Sequence, residues 1–429
     1  MKVGIVGGGL GGLVTALLLA RGGVRVTVFE RTDSFGGRAR TDTQDGAKWN
    51  LGPRALYRGG HAERVLRGCG FALHGAPPKT RGYALARSSM YTLPTSALSL
   101  LVTDLFDAKS KWEALSLLAK LGKLRADGDE SLGNFLERTV RSSEVRALLA
   151  LFVRLATYTH PVESLRAQDA LAQLALATGP GVLYLDGGWQ TLVDQAIRAV
   201  EAAGGKLVGD ARVTRVLVDD GPEGPRAAGL VVDEREARFD AVILAVDPRS
   251  AAKLVPEDAA LSRVAANACK VHAACLDLRL EGVVRDTTVL FGVDEPVYVS
   301  MHSAAAKLAP EGVSVVHAMK YLAPGATCEE SELSSLVARM HPEARVTHSR
   351  FLPKMVVMHA RPDATSGGLA GRIVSPDTRG LELVGDWVGG RGMLLDAVLA
   401  SAEHAAERIA TRGSSRPVRR STELSTGVS

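Results

Sequence analysis

The chain has 429 residues, of which 46% are apolar and 23% charged, and a net charge of +5. That length exceeds one ordinary hydrophobic core and predicts two domains, and the composition excludes a disordered chain. Arg416, Arg419 and Arg420 against Glu423 put two of the five charges in the C-terminal tail, and the remainder is too slight to argue for nucleic acid. Cys69, Cys269, Cys275 and Cys328 form no C-x-x-C pair, and the ten histidines form no H-E-x-x-H or mixed cluster. Reduced thiols and no metal centre are therefore expected.

In chain order, the apolar run Lys2–Val6 predicts a strand, Gly7-Gly8-Gly9-Leu10-Gly11-Gly12 a turn, and the Ala/Leu-rich run from Leu10 a helix; a second strand then ends at Glu30. The opening lacks the cationic leader of a signal peptide, and the glycine turn interrupts its apolar run. A mostly helical stretch follows. A helix is expected near Thr191–Ala203, with strands near Val213–Val218, Ala228–Val232 and Ala241–Ala245. Strand-like runs at 273–278, 297–302 and 313–319 suit an antiparallel sheet flooring a substrate cavity. A strand at Leu381–Val384 and a helix at Leu394–Ala410 close the order, and the Ser/Thr-rich tail from Gly413 to Ser429 is expected to be disordered.

Strand, glycine turn, helix, strand, acidic residue is the order that binds the ADP half of a dinucleotide. Gly7 allows the tight turn, Gly9 lets the backbone approach a pyrophosphate, and Gly12 lets the helix pack closely on the strand. The helix N-terminus at Leu10 directs free N–H groups and the positive dipole end at the phosphates. Glu30 accepts from the ribose hydroxyls and disfavours a 2′-phosphate. Arg31 then leads into a second glycine pair, Gly36-Gly37, followed by Arg38 and Arg40, which suits a second pass along the pyrophosphate and points to FAD rather than NAD.

Gly7 to Thr41 resembles the N-terminus of the flavin amine oxidase, protoporphyrinogen oxidase and phytoene desaturase superfamily. Gly46–Arg54, with Gly52, Pro53 and Arg54, resembles the segment beside the flavin ring in that group. Gly187–Leu192 resembles its re-entry into the FAD domain, and Leu383–Trp387 with Gly392–Ala397 its closing FAD motif. The resemblance implies an α/β fold: a discontinuous Rossmann-like FAD-binding domain (1–60, 183–260 and 379–412) with an α+β substrate domain (61–182 and 261–378) inserted. It further implies that Gly385 and Asp386 meet the ribityl or pyrophosphate part of FAD. The helix beginning at Met393 and Leu394 then points at the flavin pyrimidine, and the backbone of Val213 meets the adenine.

The residues that act on substrate are less defined. Arg54 and Tyr57, Tyr158 and His160, and His317 and Lys320 are polar groups that could face the flavin, and each alone also reads as a structural or surface residue. Lys253, following Ala245-Val246-Asp247-Pro248, sits at the offset of the amine oxidases' water-bridging lysine. Gly389-Gly390-Arg391-Gly392 supplies no aromatic residue for the amine oxidase cage. Three readings stand open: dehydrogenation of a lipophilic small molecule by hydride transfer to flavin N5, with oxygen or quinone as electron acceptor; oxidation of an amine or amino acid to an imine with release of hydrogen peroxide; and a flavin-binding partner protein without turnover. Segment 91–125 interleaves Leu98, Leu100, Leu101, Val102, Leu105, Phe106, Leu115, Leu117, Leu118, Leu121 and Trp112 with Lys109, Lys111, Lys120, Lys123 and Arg125. It reads either as a peripheral membrane contact or as a core-facing helix with solvated lysines. No apolar stretch is long enough to span a bilayer, so a cytoplasmic protein or one held on a membrane face is expected.

Overall fold

A computed structural model describes residues 1–93, 100, 103–126 and 128–414. Its first layer is a five-stranded parallel sheet in the order Lys206–Val208, Arg25–Phe29, Lys2–Val6, Ala241–Leu244, Leu381–Leu383. Ile5 pairs with Val28 on one side and Ile243 on the other. Covered on both faces, these strands need apolar residues at every position rather than at alternate ones. The helices Leu10–Arg21, Gln190–Ala202 and Leu394–Ser414 share one core with the sheet, in which Ile5, Leu13, Val14 and Leu17 are fully buried. Across the other face lies the antiparallel ribbon Val213–Asp219, Arg226–Val232 and Arg235–Arg238, packed through Val216 and Leu230. The result is the expected Rossmann-like α/β architecture, with strands drawn from three separated stretches of chain.

The second sheet has seven strands, in the order Ala344–Met358, Val271–Gly282, Val313–Leu322, Val297–Met301, Val289–Gly292, Gly82–Ala86, Ser89–Thr92. Period-two alternation divides its residues between two faces. Leu276, Leu278, Val316 and Ala318 pack with Leu333, Leu336 and Val337 of the helix Glu330–Met340. Ala273, Cys275, Met319 and Tyr321 form the core of the opposite face. A helical layer, Ala108–Lys120, Leu132–Thr139, Ser143–Thr157 and Ala167–Thr178, encloses its own apolar core.

The stretch expected to be mostly helical therefore also supplies the last two strands of this sheet, Gly82–Ala86, parallel to Val289–Gly292, and the edge strand Ser89–Thr92. Their short Gly/Ala/Ser-containing runs carry little intrinsic strand preference, and pairing along the sheet edge decides the outcome. The last helix continues past Ala410 to include Gly413 and Ser414, and residues 415–429 lie outside the described residues. Of the amphipathic segment, Leu98, Leu101 and Val102 lie outside the described residues too. Leu100, Leu105, Phe106, Leu117 and Leu121 are buried in the helical core. Trp112, by contrast, is 69% exposed, on the same helix as exposed Lys109 and Lys120. Among the described residues no helix is long and apolar enough to cross a membrane.

Candidate functional site

The glycine turn has three distinct steric environments. Gly7 has φ +105°, and a Cβ there would lie 2.5 Å from the Ala245 carbonyl oxygen; a Cβ on Gly12 would lie 2.1 Å from that of Gly7. Gly9 differs: a Cβ added to it meets nothing within 4 Å, so its backbone borders open space at the N-terminus of the helix Leu10–Arg21. The first turn of that helix has no intrahelical acceptors for its N–H groups. Open space, free donors and a dipole end at one point fit a diphosphate. The second glycine pair is brought to the first by the Gly36 N–H donating to the Gly8 carbonyl at 2.8 Å. Gly37 is exposed beside Gly9, and Arg31 is exposed as well.

Glu30 accepts from the Gly8 N–H (2.8 Å) and the Thr32 N–H (3.1 Å), so its carboxylate fixes the turn as well as offering acceptors to a ribose. Its carbonyl accepts from the Ala211 N–H at 2.8 Å, which brings the strand beginning at Val213 to the same corner.

Arg38 joins the two ends of the chain. It donates to the Asp386 carboxylate at 2.8 Å and to the Val357 carbonyl at 2.9 Å, while His359 meets the other Asp386 oxygen at 2.9 Å. Burial opposes ionisation of Asp386, but Arg38 and His359 outweigh it and hold the carboxyl well below its usual range. Gly385 donates its N–H to Ser401 on the closing helix (3.1 Å), whose start is marked by buried Met393 and by Leu394 at φ +54°. Asp396 in the first turn accepts from the Ala62 N–H at 2.6 Å, and burial raises its carboxyl to about 6.

The flavin-side segment is tied down from both sides. Asn50 accepts from the Trp189 N–H at 2.9 Å and from the Thr41 hydroxyl at 2.7 Å. Gly52 sits where a Cβ would lie 2.8 Å from the Cys275 sulfur, so the Gly52–Pro53–Arg54 loop lies directly on the second sheet. Arg350 clamps the same junction, bonding the Asn50 carbonyl and the buried Asp277, with Asp42 beyond. Asp277 also bonds His317 Nδ1 at 2.5 Å; burial opposes its ionisation, yet His317 and Arg350 hold it below the usual carboxylate range. His302 packs on Tyr184 with ring centroids 3.8 Å apart, and burial followed by His317 pushes its pKa well down.

Arg54 lies over the Trp189 ring, 5.6 Å from its centroid, with its buried Nε unpartnered. Burial and the like charge of Arg38 lower it to about 10. Tyr158 and Tyr321 meet edge to face at 6.3 Å beside Cys275, and Tyr57 donates to the Ala156 carbonyl at 2.7 Å. Four of the residues expected near the flavin do not join this group. Lys320 lies on the opposite sheet face and pairs with Glu332 at 2.5 Å. Lys253 is exposed on the short helix Pro248–Leu254. His317 is sealed behind Asp277, and half-buried His160 is pushed down by burial and Arg154. Sequence reasoning passed over Cys275, Tyr321 and His359. The first two carry a signal in strand alternation, whereas His359 carries none.

The chain is 26% identical to 4,4′-diapolycopen-4-al dehydrogenase of Metabacillus indicus over 408 residues, covering 79% of each protein. It is 25% identical to a 4,4′-diapophytoene desaturase of Staphylococcus haemolyticus, over 60% of this chain and 57% of that one. An oxidoreductase from Methanosarcina mazei superposes with a TM-score of 0.76 at 21% identity, covering 95% of this chain and 100% of its own. The sequence profile of flavin-containing amine oxidoreductases matches residues 10–410. The chain therefore belongs to the flavin-containing amine oxidoreductase family and is an FAD-dependent oxidoreductase.

Proposed function

We propose that this enzyme dehydrogenates a lipophilic small molecule in a site between the Gly52–Arg54 loop and the inner face of the seven-stranded sheet. The observation that carries the reading is that face itself. Ala273, Met319, Tyr298 and Tyr321 pack there with Leu352 and Met355, an apolar and aromatic wall suited to a lipophilic substrate. Bound FAD supplies the acceptor for the hydride, at flavin N5. The chain holds it through Gly7, Gly9, Leu10, Gly12, Glu30 and Arg31 at the ADP half, with the Val213 backbone at the adenine. Gly37, Arg38, Gly385 and Asp386 lie along the diphosphate and ribityl part. Gly52, Pro53, Arg54, Met393 and Leu394 border the ring. The sheet face and the loop exclude water from the substrate. Oxygen or a quinone takes the electrons.

Amine oxidation, suggested by the family's description, is the second reading. The exposed Lys253 and the absence of an aromatic residue in Gly389–Gly392 weigh against it. Delivery of the substrate from a membrane face through 91–125 is part of the first reading, supported by exposed Trp112 among lysines. Anaerobic bleaching of the ~450 nm flavin band by a panel of amines, amino acids and isoprenoids tests both. Bleaching only by lipophilic substrates is expected; bleaching by a simple amine would overturn the first reading.

A further inference from the structure

The substrate-side wall contains one cation too many. Around the flavin-side loop, Arg38 is matched by Asp386, and Arg350 by Asp277 and Asp42. Arg54 has no such match: among the described residues it makes no ion pair and no hydrogen bond, and its Nε is sealed from solvent. A guanidinium in a desolvated place without an acceptor is unfavourable unless something anionic completes it. Its charged neighbours supply none: Arg38 is a like charge, and Asp277 is already bonded to His317 and Arg350. Cys275 is pushed well up by burial, and burial likewise keeps Tyr158 protonated.

Two further features mark the same spot. The Tyr158 and Tyr321 hydroxyls make no hydrogen bond to any described residue, although both side chains are packed into the wall. Tyr158 stands at the C-terminal end of the helix Ser143–Thr157 in the left-handed region, φ +58°, a conformation that glycine usually supplies. That conformation aims a bulky side chain where the helix itself would not. An arginine fork and tyrosine hydroxyls are the donor set of a carboxylate site.

We propose that the substrate is an amphiphile whose carboxylate is held by Arg54 with Tyr158 and Tyr321, its apolar body lying on the sheet face. This rests on the dehydrogenase reading above and specifies its substrate class. Arg54 is assigned to substrate rather than to the cofactor diphosphate because of its neighbours. The diphosphate groups converge on Gly9, Gly36 and Arg38, whereas the Arg54 loop lies on Cys275 of the substrate sheet. No bond is made or broken by Arg54; it sets where the apolar body stands relative to the flavin.

The test uses FAD-reconstituted protein titrated with octanoate and, separately, 1-octanol, read by perturbation of the flavin absorbance bands. Octanoate is expected to bind at least about tenfold tighter than 1-octanol, the worth of a charge-assisted hydrogen bond. Arg54→Gln, compared with the parent at equal flavin occupancy, is expected to abolish that preference, and Arg54→Lys to keep part of it. Equal binding of the two probes, or no binding of either, overturns the proposal. So does an Arg54→Gln protein that, loaded with FAD, still prefers octanoate. Failure of the unaltered protein to take up FAD would overturn the underlying reading, and the proposal with it.

Discussion

Replacing Gly9 by alanine separates cofactor binding from folding. Gly9 has φ −68° and ψ 171°, values open to any residue, and its added Cβ has no neighbour within 4 Å. The cost to the fold is confined to the helix N-cap, where alanine is poorer than glycine by about 0.5–1 kcal/mol. The methyl nevertheless stands where the backbone must approach the diphosphate. Losing one charge-assisted hydrogen bond there costs about 1.5–3 kcal/mol, or a fall of about 10- to 100-fold in FAD affinity. Gly12→Ala is the control of opposite character. Its Cβ would lie 2.1 Å from the Gly7 carbonyl oxygen, which cannot swing aside as a side chain can, so about 1–3 kcal/mol or more of stability is lost. Urea unfolding of the FAD-free proteins and titration with FAD, followed by flavin fluorescence, measure the two quantities separately. The reasoning is refuted if Gly9→Ala takes up FAD like the parent, or if it is destabilised as much as Gly12→Ala.

Three other outcomes follow from the same structure. Asp386→Asn should lower stability by about 1–3 kcal/mol, the lower part of the buried-pair range because Arg38 is 37% exposed and partly screened. Since the carboxyl is held below its usual range, its contribution is present at neutral pH and lost as pH falls below about 4; unfolding curves from pH 3 to 7 should therefore fall more steeply for the parent than for the variant. Asp396, raised to about 6, has the opposite sign: the folded state takes up its proton first, so this group adds stability as pH falls through 6. The gain is at most about 2–3 kcal/mol, and Asp396→Asn should remove it. Lys253→Met should leave anaerobic flavin reduction within about twofold, as expected for an exposed substitution; a drop of two orders of magnitude would favour the amine oxidase reading.

The nucleotide half was legible because its constraints are local. Gly7, Gly9, Gly12 and Glu30 stand within one strand–helix–strand unit, and each is dictated by the turn it occupies. The wall beside Arg54 is assembled differently. Cys275 and Tyr321 come from neighbouring strands, and only the register that pairs Cys275 with Met319 and Leu352 puts them on one face. The clasp of Arg38, His359 and Asp386 is longer-ranged still, and no spacing foretells it. Lys253 is the reverse case: its offset matches by resemblance, yet on the helix begun by the Asp247 cap it is exposed.

The parallel sheet also bears on synthesis. Val3 pairs with Ala241 on one side, and the outer strand that completes the layer begins only at Leu381. At about 5–20 residues per second, the ribosome leaves the first strand without the Ala241–Leu244 strand for roughly 12–50 seconds, its edge open to any passing strand. A chain cut short before Leu381 leaves the outer edge of the Ala241–Leu244 strand uncovered and lacks the Asp386 clasp as well. The cofactor cleft is thus complete only once Arg38 and Asp386, 348 residues apart, have met.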